Sequence, residues 1–262
     1  MGLTFTLLGS GSTGNSTLVS DGVTHVLVDA GLSGREMAKR LRTYGLEPEK
    51  ITAIVVSHEH GDHCRGVSPF VKNLDIPVFM TESAFAGSGM KLKQGRLRSI
   101  APGESFDVNG ICFTGFLVPH DAAEPLGFVI EKSGAKIGIA LDLGYLSKLV
   151  VERLKGCDAI ILESNHDVQM LKAGPYPWAL KQRVMSRQGH LSNDSVAEYL
   201  ANDFDGKAAH VVLAHLSVNN NHPDLAMLSA RRALEERTGL HNGSRTKLEL
   251  SFPDRISRTY RY

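Results

Sequence analysis

Ser57-His58-Glu59-His60-Gly61-Asp62-His63 is the stretch that decides how this chain reads. It follows Ala53-Ile54-Val55-Val56, a β-branched run that reads as a buried strand. Three imidazoles and the Asp62 carboxylate fall within six residues, and these are the nitrogen and oxygen donors that zinc and its first-row neighbours accept. His58 and His60, two apart at a strand end, project to one side. Beyond Gly61 the chain turns, so Asp62 and His63 can face a second metal. Gly61 is expected to supply a backbone conformation that a residue with a Cβ would resist. A lone histidine is more often packed or solvated than ligating, but that reading does not account for a cluster this dense.

Outward from the cluster, strand-like runs occur at Thr4–Leu8, Ser16–Ser20, His25–Asp29, Ala53–Ser57, Pro77–Met80, Ile111–Pro119, Leu126–Lys132 and Lys136–Leu141. Further runs follow at Ala159–Glu163 and His210–His215. Helical periodicity predicts Gly34–Tyr44 with Gly45 as C-cap, Asn193–Asn202, and Leu225–Thr238 ended by Gly239. Hairpins mixed with βα units disfavour a simple parallel sheet and point to two mixed sheets packed together with helices outside.

The 262 residues suffice for a sizeable core and are expected to form one domain over 1–262. With 42% apolar and 22% charged residues the chain reads as globular, not disordered. Lys+Arg 29 against Asp+Glu 28 excludes a globally basic nucleic-acid coat and leaves a local basic groove open. Cys64, Cys112 and Cys157 are odd in number and far apart, which suggests no disulfide framework and fits a reducing cytoplasm. Cys64 and Cys157 are read as packing. No run reaches the roughly 18–20 apolar residues of a membrane span, and MGLTFTLLGSGSTGNS lacks the basic start of a signal peptide.

In chain order, Val26-Leu27-Val28-Asp29-Ala30-Gly31, the 58–63 cluster, Val118-Pro119-His120, Ala140-Leu141-Asp142-Leu143-Gly144 and Leu213-Ala214-His215-Leu216-Ser217 resemble the five motifs of the metallo-β-lactamase superfamily, whose signature is H-x-H-x-D-H. Taken singly, His120, Asp142 and His215 read equally well as structural. The resemblance implies an α/β (α+β) fold: an αββα sandwich of two mixed β-sheets flanked by helices, with two divalent metals at one edge of the sheets. It implies that His58, His60 and His120 hold one metal and Asp62, His63 and His215 the other. Asp142 would bridge them, and Asp29 would orient ligands by hydrogen bonds. A metal-bridging hydroxide at neutral pH, and hence hydrolysis, is the chemistry so implied. The all-nitrogen-and-oxygen donor set makes zinc the default and manganese the option for activity, with iron behind both. Redox chemistry is disfavoured because the flavin-linked di-iron branch carries a glutamate where His60 stands.

Within the superfamily, Asp142 stands where many true β-lactamases use a cysteine. Arg187-Gln188-Gly189-His190-Leu191-Ser192-Asn193 instead resembles the C-terminal pattern of ribonuclease Z and its relatives. That resemblance implies that His190 contacts the scissile phosphate and assists the leaving group, with Glu163 as its partner. A carboxylate there would keep His190 protonated. Asp62, His190 and Glu163 are thus the expected catalytic residues. His120 and Asp142 are 22 positions apart, too few for a tRNA-gripping arm. Asp142 and His215 are 73 apart, too few for the extra domain of the β-CASP nucleases.

What remains resembles the compact YycJ type of exonuclease. The matching pieces are Leu8–Ser16, Ser57–Val67, Glu163-Ser-Asn-His-Asp167, Gly189-His-Leu-Ser-Asn193 and His215-Leu-Ser-Val-Asn-Asn-Asn221. The resemblance implies a 5′-to-3′ DNA exonuclease acting in repair or processing, with single-stranded DNA as the favoured substrate. Ser10, Ser12 and Asn15 of the glycine-rich loop are candidates for cradling a phosphate, or the loop is only a tight turn. Arg183 and Arg187, with Lys181, lead up to His190 as a candidate cationic track, and Lys91, Lys93, Arg96 and Arg98 form a second basic group. His166 and Asp167 fit either the mouth of the site or a surface loop. His25, His210, His222 and His241 match no motif. The competing readings are a small-molecule hydrolase acting on a cyclic phosphodiester or a thioester, an RNA-processing nuclease, and a non-catalytic metal-stabilised module.

Overall fold

The computed structural model describes residues 2–72, 74–238 and 246–262. Its strands fall into two seven-stranded mixed sheets. The first runs, in spatial order, β14 (Tyr260–Arg261), β1 (Thr4–Gly9), β2 (Ser16–Ser20), β3 (His25–Val28), β4 (Ala53–Val55), β5 (Val78–Met80), β6 (Leu97–Ser99). The second runs β13 (Lys247–Leu250), β12 (His210–Ala214), β11 (Ala159–Glu163), β10 (Ala135–Ala140), β9 (Leu126–Lys132), β8 (Ile111–Leu117), β7 (Ser105–Val108). Each sheet joins an antiparallel half (β14 to β3; β7 to β10) to a parallel half (β3 to β6; β10 to β13). The helices are α1 (Gly34–Tyr44), α2 (Gly61–Cys64), α3 (Val67–Val71), α4 (Glu82–Ser88), α5 (Lys148–Leu154), α6 (Val168–Ala173), α7 (Trp178–Val184), α8 (Asn193–Asn202) and α9 (Pro223–Thr238).

Three apolar layers hold these elements together. Phe5, Val26 and Val55 of the first sheet meet Phe113, Phe128, Ile161 and Val212 of the second in a shared middle layer. Leu27, Ile54 and Val78 turn the other way, onto Met37 and Leu41 of α1, Phe70 of α3 and Ala84 of α4. Ile160, Leu162 and Leu213 turn outward onto Leu154 of α5, Val196 and Leu200 of α8, and Ala230 of α9. This alternation gives the αββα sandwich: the inner parallel strands β3, β4, β11 and β12 are buried on both faces, as covering helices require.

Local signals explain the helix ends. Ser33 accepts a hydrogen bond from the Glu36 N–H at the start of α1, and Gly45 closes it with φ 94°. Ser192 caps α8 in the same way by accepting from the Ser195 N–H. The third expected helix gains Pro223 and Asp224 at its start, and its expected terminator Gly239 and the unassigned His241 lie outside the described residues.

Several expected strands end one or two residues early, and the residues they lose are those of the motifs. Asp29 (φ 61°), Asp142 (φ 52°) and His215 (φ 55°) all sit just past strand ends in the left-handed region. That conformation is uncommon for non-glycine residues and costs on the order of 1–3 kcal/mol each where a side chain resists it. Here it turns each side chain off the sheet edge into the same space.

The Gly61 expectation is overturned. Gly61 has no left-handed φ and an added Cβ would meet nothing within 4 Å, because Gly61 opens the short helix α2 with His60 as its N-cap. The glycine that the cluster needs is Gly31, where a Cβ would lie 1.6 Å from the Asp62 carbonyl oxygen.

Candidate metal centre

The centre forms where the loops after β3, β4, β8, β10, β11 and β12 converge. His58, His60 and His120 bring ring nitrogens within 4.8 Å of one another, and Asp62, His63, Asp142 and His215 form a second such group. A third group, Asp142, Glu163, His190 and His215, shares two members with the second. The first two groups bring together the residues that the resemblance assigned to each metal, with Asp142 falling in the second.

Hydrogen bonds fix which nitrogen of each ring faces inward. His63 Nδ1 donates to Asp29 Oδ2 at 2.7 Å, and His120 Nδ1 donates to the Gly189 carbonyl at 3.0 Å. His58 Nδ1 lies 3.0 Å from Ser57 Oγ, and His215 Nδ1 lies 2.8 Å from Glu163 Oε1. Four rings are thus held from outside at Nδ1 and present Nε2 to the centre, the arrangement in which an outer partner sets tautomer and orientation. His60 presents Nδ1, which lies 3.2 Å from His120 Nε2. Asp29 also accepts from the Ser57 N–H at 2.8 Å and Ser57 Oγ at 3.0 Å, so one buried carboxylate orders the start of the cluster.

These residues fit divalent cations. His58 Nε2 and His215 Nε2 are buried without a hydrogen-bond partner, a costly state for polar atoms unless an ion satisfies them. Asp142 Oδ2 is 2.6 Å from His63 Nε2 and 3.4 Å from His58 Nε2, so it reaches toward both groups. Burial opposes charge on His63 and His215, yet Asp142 next to both holds each well above the ordinary imidazole value. The carboxylates therefore demand positive charge there, which a proton or a metal ion can supply. On the other side, burial keeps His58 well below its ordinary value, hence neutral and able to donate a lone pair.

Glu163 is fully buried at the end of β11 and accepts four hydrogen bonds: His190 Nδ1 at 2.7 Å, His215 Nδ1 at 2.8 Å, and the N–H groups of Leu143 at 3.0 Å and Leu191 at 3.1 Å. The sequence linked Glu163 to His190 alone; the structure gives it His215 as well. Burial works against a charged His190, but Glu163 and Asp142 raise it to about 10. Glu59, the titratable member of the cluster outside the candidate ligand set, accepts from the Ala123 N–H at 2.8 Å and ties the loop after His120 to the loop after β4. Cys64 donates to the Glu59 carbonyl at 3.0 Å, and burial with the nearby carboxylates pushes its thiol up to about 12, in keeping with packing. Burial likewise raises Cys157 to about 12.

Beside the centre lies a cavity of about 370 Å³ lined by His60, Asp62, Asp142, His190 and His215 together with Ser12, Tyr176 and Arg183. Of the glycine-loop candidates only Ser12 lines it. Ser10 and Asn15 are buried: Asn15 Oδ1 accepts from Ser10 Oγ and the Gly11 N–H, and Ser10 Oγ accepts from the His215 N–H. Asn15 Nδ2 lies 3.0 Å from His63 Nε2. The N–H groups of Ser10, Gly14 and Asn15 are bonded to Phe252, Gly11 and Asp62 carbonyls, so the loop does not hold them open as a phosphate cradle.

Arg183 lines the cavity but is held by Asp121, at 2.5 and 3.1 Å. Arg187 lies over the Tyr145 ring, 4.0 Å from its centroid, in a neighbouring depression that His120 also lines. His166 is buried, and Asp167 caps α6. Of the asparagines quoted for the exonuclease resemblance, Asn193 and Asn221 join a buried network. Asn221 Nδ2 donates to the Ser164 and Asn165 carbonyls at 2.9 and 3.0 Å, and Asn193 Nδ2 donates to Asn221 Oδ1 at 2.8 Å. Tyr176 and Leu180 line the cavity and were not singled out from the sequence; the run Gly174-Pro175-Tyr176-Pro177, an aromatic between prolines, was the available signal.

Residues 24–216 match the β-lactamase superfamily domain. The exodeoxyribonuclease YycJ of Bacillus anthracis is 36% identical over 242 residues, 90% of this chain and 91% of that one. The exodeoxyribonuclease WalJ of Streptococcus pneumoniae is 32% identical over 234 residues, 87% of each chain. Among solved structures, the metallo-β-lactamase fold protein YhfI from Bacillus subtilis superposes over 100% of both chains with a TM-score of 0.77 at 16% identity.

Proposed function

This chain belongs to the β-lactamase superfamily domain family and is a metal-dependent hydrolase, and from that premise we propose that it is a dinuclear phosphodiesterase degrading single-stranded DNA from the 5′ end, in repair or processing. In this reading residues 1–262 act as one domain. His58, His60 and His120 hold one metal, Asp62, His63 and His215 the other, and Asp142 spans both. Zinc suits the donors, with manganese the alternative for activity. Bound there, two divalent ions would supply a water of lowered pKa and neutralise charge on the phosphoryl oxygens.

The observation that carries the reading is His190, held through Nδ1 by Glu163 at 2.7 Å and lining the same cavity as Asp62 and Asp142. With Nδ1 engaged, Nε2 is the nitrogen free to act. Glu163 favours the protonated ring, so Nε2–H can donate to the departing oxygen as its bond to phosphorus breaks. A thioester hydrolase has no need of a cation beside an already assembled metal centre, whereas a phosphodiester carries a negative charge that His190 complements. The names of the two relatives, both exodeoxyribonucleases, point to DNA.

The test is a time course on single-stranded DNA and matching RNA, 5′-phosphorylated and internally labelled, with added manganese or zinc. Mononucleotides released progressively from the 5′ end of DNA, and abolished by chelator, are expected. Cleavage of neither polymer, with turnover of a small phosphodiester, would overturn the nuclease reading.

A further inference from the structure

We propose that Tyr176 and Leu180 form a stacking subsite for one unpaired nucleobase beside the scissile phosphate. The proposal rests on the nuclease reading and adds to it the place where the base is held. The lining of the 370 Å³ cavity has two chemistries. His60, Asp62, Asp142 and His215 are candidate ligands for cations that would attract a phosphodiester, and His190 is a proton donor beside them. Tyr176, Leu180 and Val184 provide an apolar wall with no evident use for a phosphate. Among the lining residues Tyr176 is the one aromatic ring besides the imidazoles. A cavity of this volume lies at the small end of ligand-sized sites. That is room for about one nucleotide.

The ring is presented rigidly. Pro175 and Pro177 restrict the backbone on either side of Tyr176. The Tyr176 hydroxyl accepts from Asn219 Nδ2 at 3.4 Å, which joins it to the loop that follows His215. Gly174 packs so closely on that loop that a Cβ would lie 2.5 Å from Asn220 Oδ1. On α7, Leu180, Arg183 and Val184 share the cavity face at helical spacing. Trp178, 63% exposed, falls on another face and is no part of the subsite. The wall is thus fixed to the same loop that carries His215, and a base stacked on it would hold the attached phosphate in register with the centre. Stacking is indifferent to base identity because every base has a π-face, as a general exonuclease requires.

The experiment compares single-stranded DNA oligomers carrying either a normal or an abasic nucleotide at the end attacked, using the metal-loaded enzyme and its Tyr176→Ala and Tyr176→Phe variants. The wild type should prefer the base-bearing end by roughly tenfold in kcat/KM. Tyr176→Ala should lose that preference while cutting the abasic end as the wild type does, and Tyr176→Phe should keep it. Equal cleavage of both ends by the wild type, or undiminished preference in Tyr176→Ala, would overturn the subsite and leave the nuclease reading standing. If the wild type cuts neither oligomer, the nuclease reading falls and the subsite falls with it. A Tyr176→Ala variant slowed equally on both ends would mark Tyr176 as structural and likewise overturn the subsite.

Discussion

The half of the centre built after β3 and β4 and the half built from the second sheet supply comparable donors by opposite routes. In the first half, His58, His60, Asp62 and His63 are neighbours in sequence, and a strand end followed by one helical turn aims them. In the second, His120, Asp142, Glu163, His190 and His215 come from separate strand ends and loops, and only the order of β8 to β12 brings them together. Each half has one buried organising carboxylate. Asp29 gathers Ser57 and His63; Glu163 gathers His190, His215 and two backbone N–H groups. The difference teaches that a centre can be half dictated by covalent spacing and half by tertiary structure, with equivalent hydrogen-bond logic in both.

The largest expected effect comes from removing a donor outright. His63→Ala takes away an inward Nε2 and leaves Asp29 without its ring partner, so turnover should fall by more than about a thousandfold with loss of bound metal. Elemental analysis and a phosphodiesterase assay on the same preparation check this; full metal content with full activity would remove His63 from the ligand set. His190→Ala, from the other half, should keep its metal and lose about 10²–10⁴-fold in rate.

That asymmetry mirrors what the sequence made legible. The 58–63 cluster declared its chemistry by density alone, and α1, α8 and α9 are long enough to show a stripe. His120, Asp142 and His215 could be assigned only through resemblance, because nothing within a few residues of each distinguishes it from a structural side chain. The short helices α2 to α7, at four to seven residues, span too few turns for a period to emerge. The strands that went unrecognised, β6, β7, β13 and β14, lie at or beside sheet edges, where mixed exposure such as that of Ser105–Val108 blurs the alternation. Gly31 and Tyr176 escaped notice because their roles depend on what packs against them across the fold. Asn165, Asn193 and Asn221 of the matched motifs were legible as a pattern and silent about being buried.

A smaller effect separates the two organising carboxylates. Asp29→Asn should weaken metal retention by about 10–100-fold, since one ring loses its acceptor and its tautomer is no longer fixed. Glu163→Gln should also weaken the hold on His215, and in addition lower the rate at saturating metal, because His190 loses the charge that favours its protonated form. Metal titration of activity distinguishes them: excess metal should restore Asp29→Asn and leave Glu163→Gln slow. Full restoration of both would mean that Glu163 acts only on His215.

The smallest effect tests where the strand leaves the centre. Sequence grouped Arg183 with Arg187, but the structure gives them different work. Arg183 is already matched by Asp121, so charge reversal there places two carboxylates together and should disturb every substrate. Arg187 lies over Tyr145 in the depression next to His120, and no ion pair among the described residues engages its charge. Arg187→Glu should therefore raise KM for single-stranded DNA several-fold at low salt, with the difference shrinking as salt rises. A small phosphodiester should be turned over unchanged. Equal loss on both substrates would make the depression part of the catalytic site, and no loss on DNA would send the strand past the centre by another route.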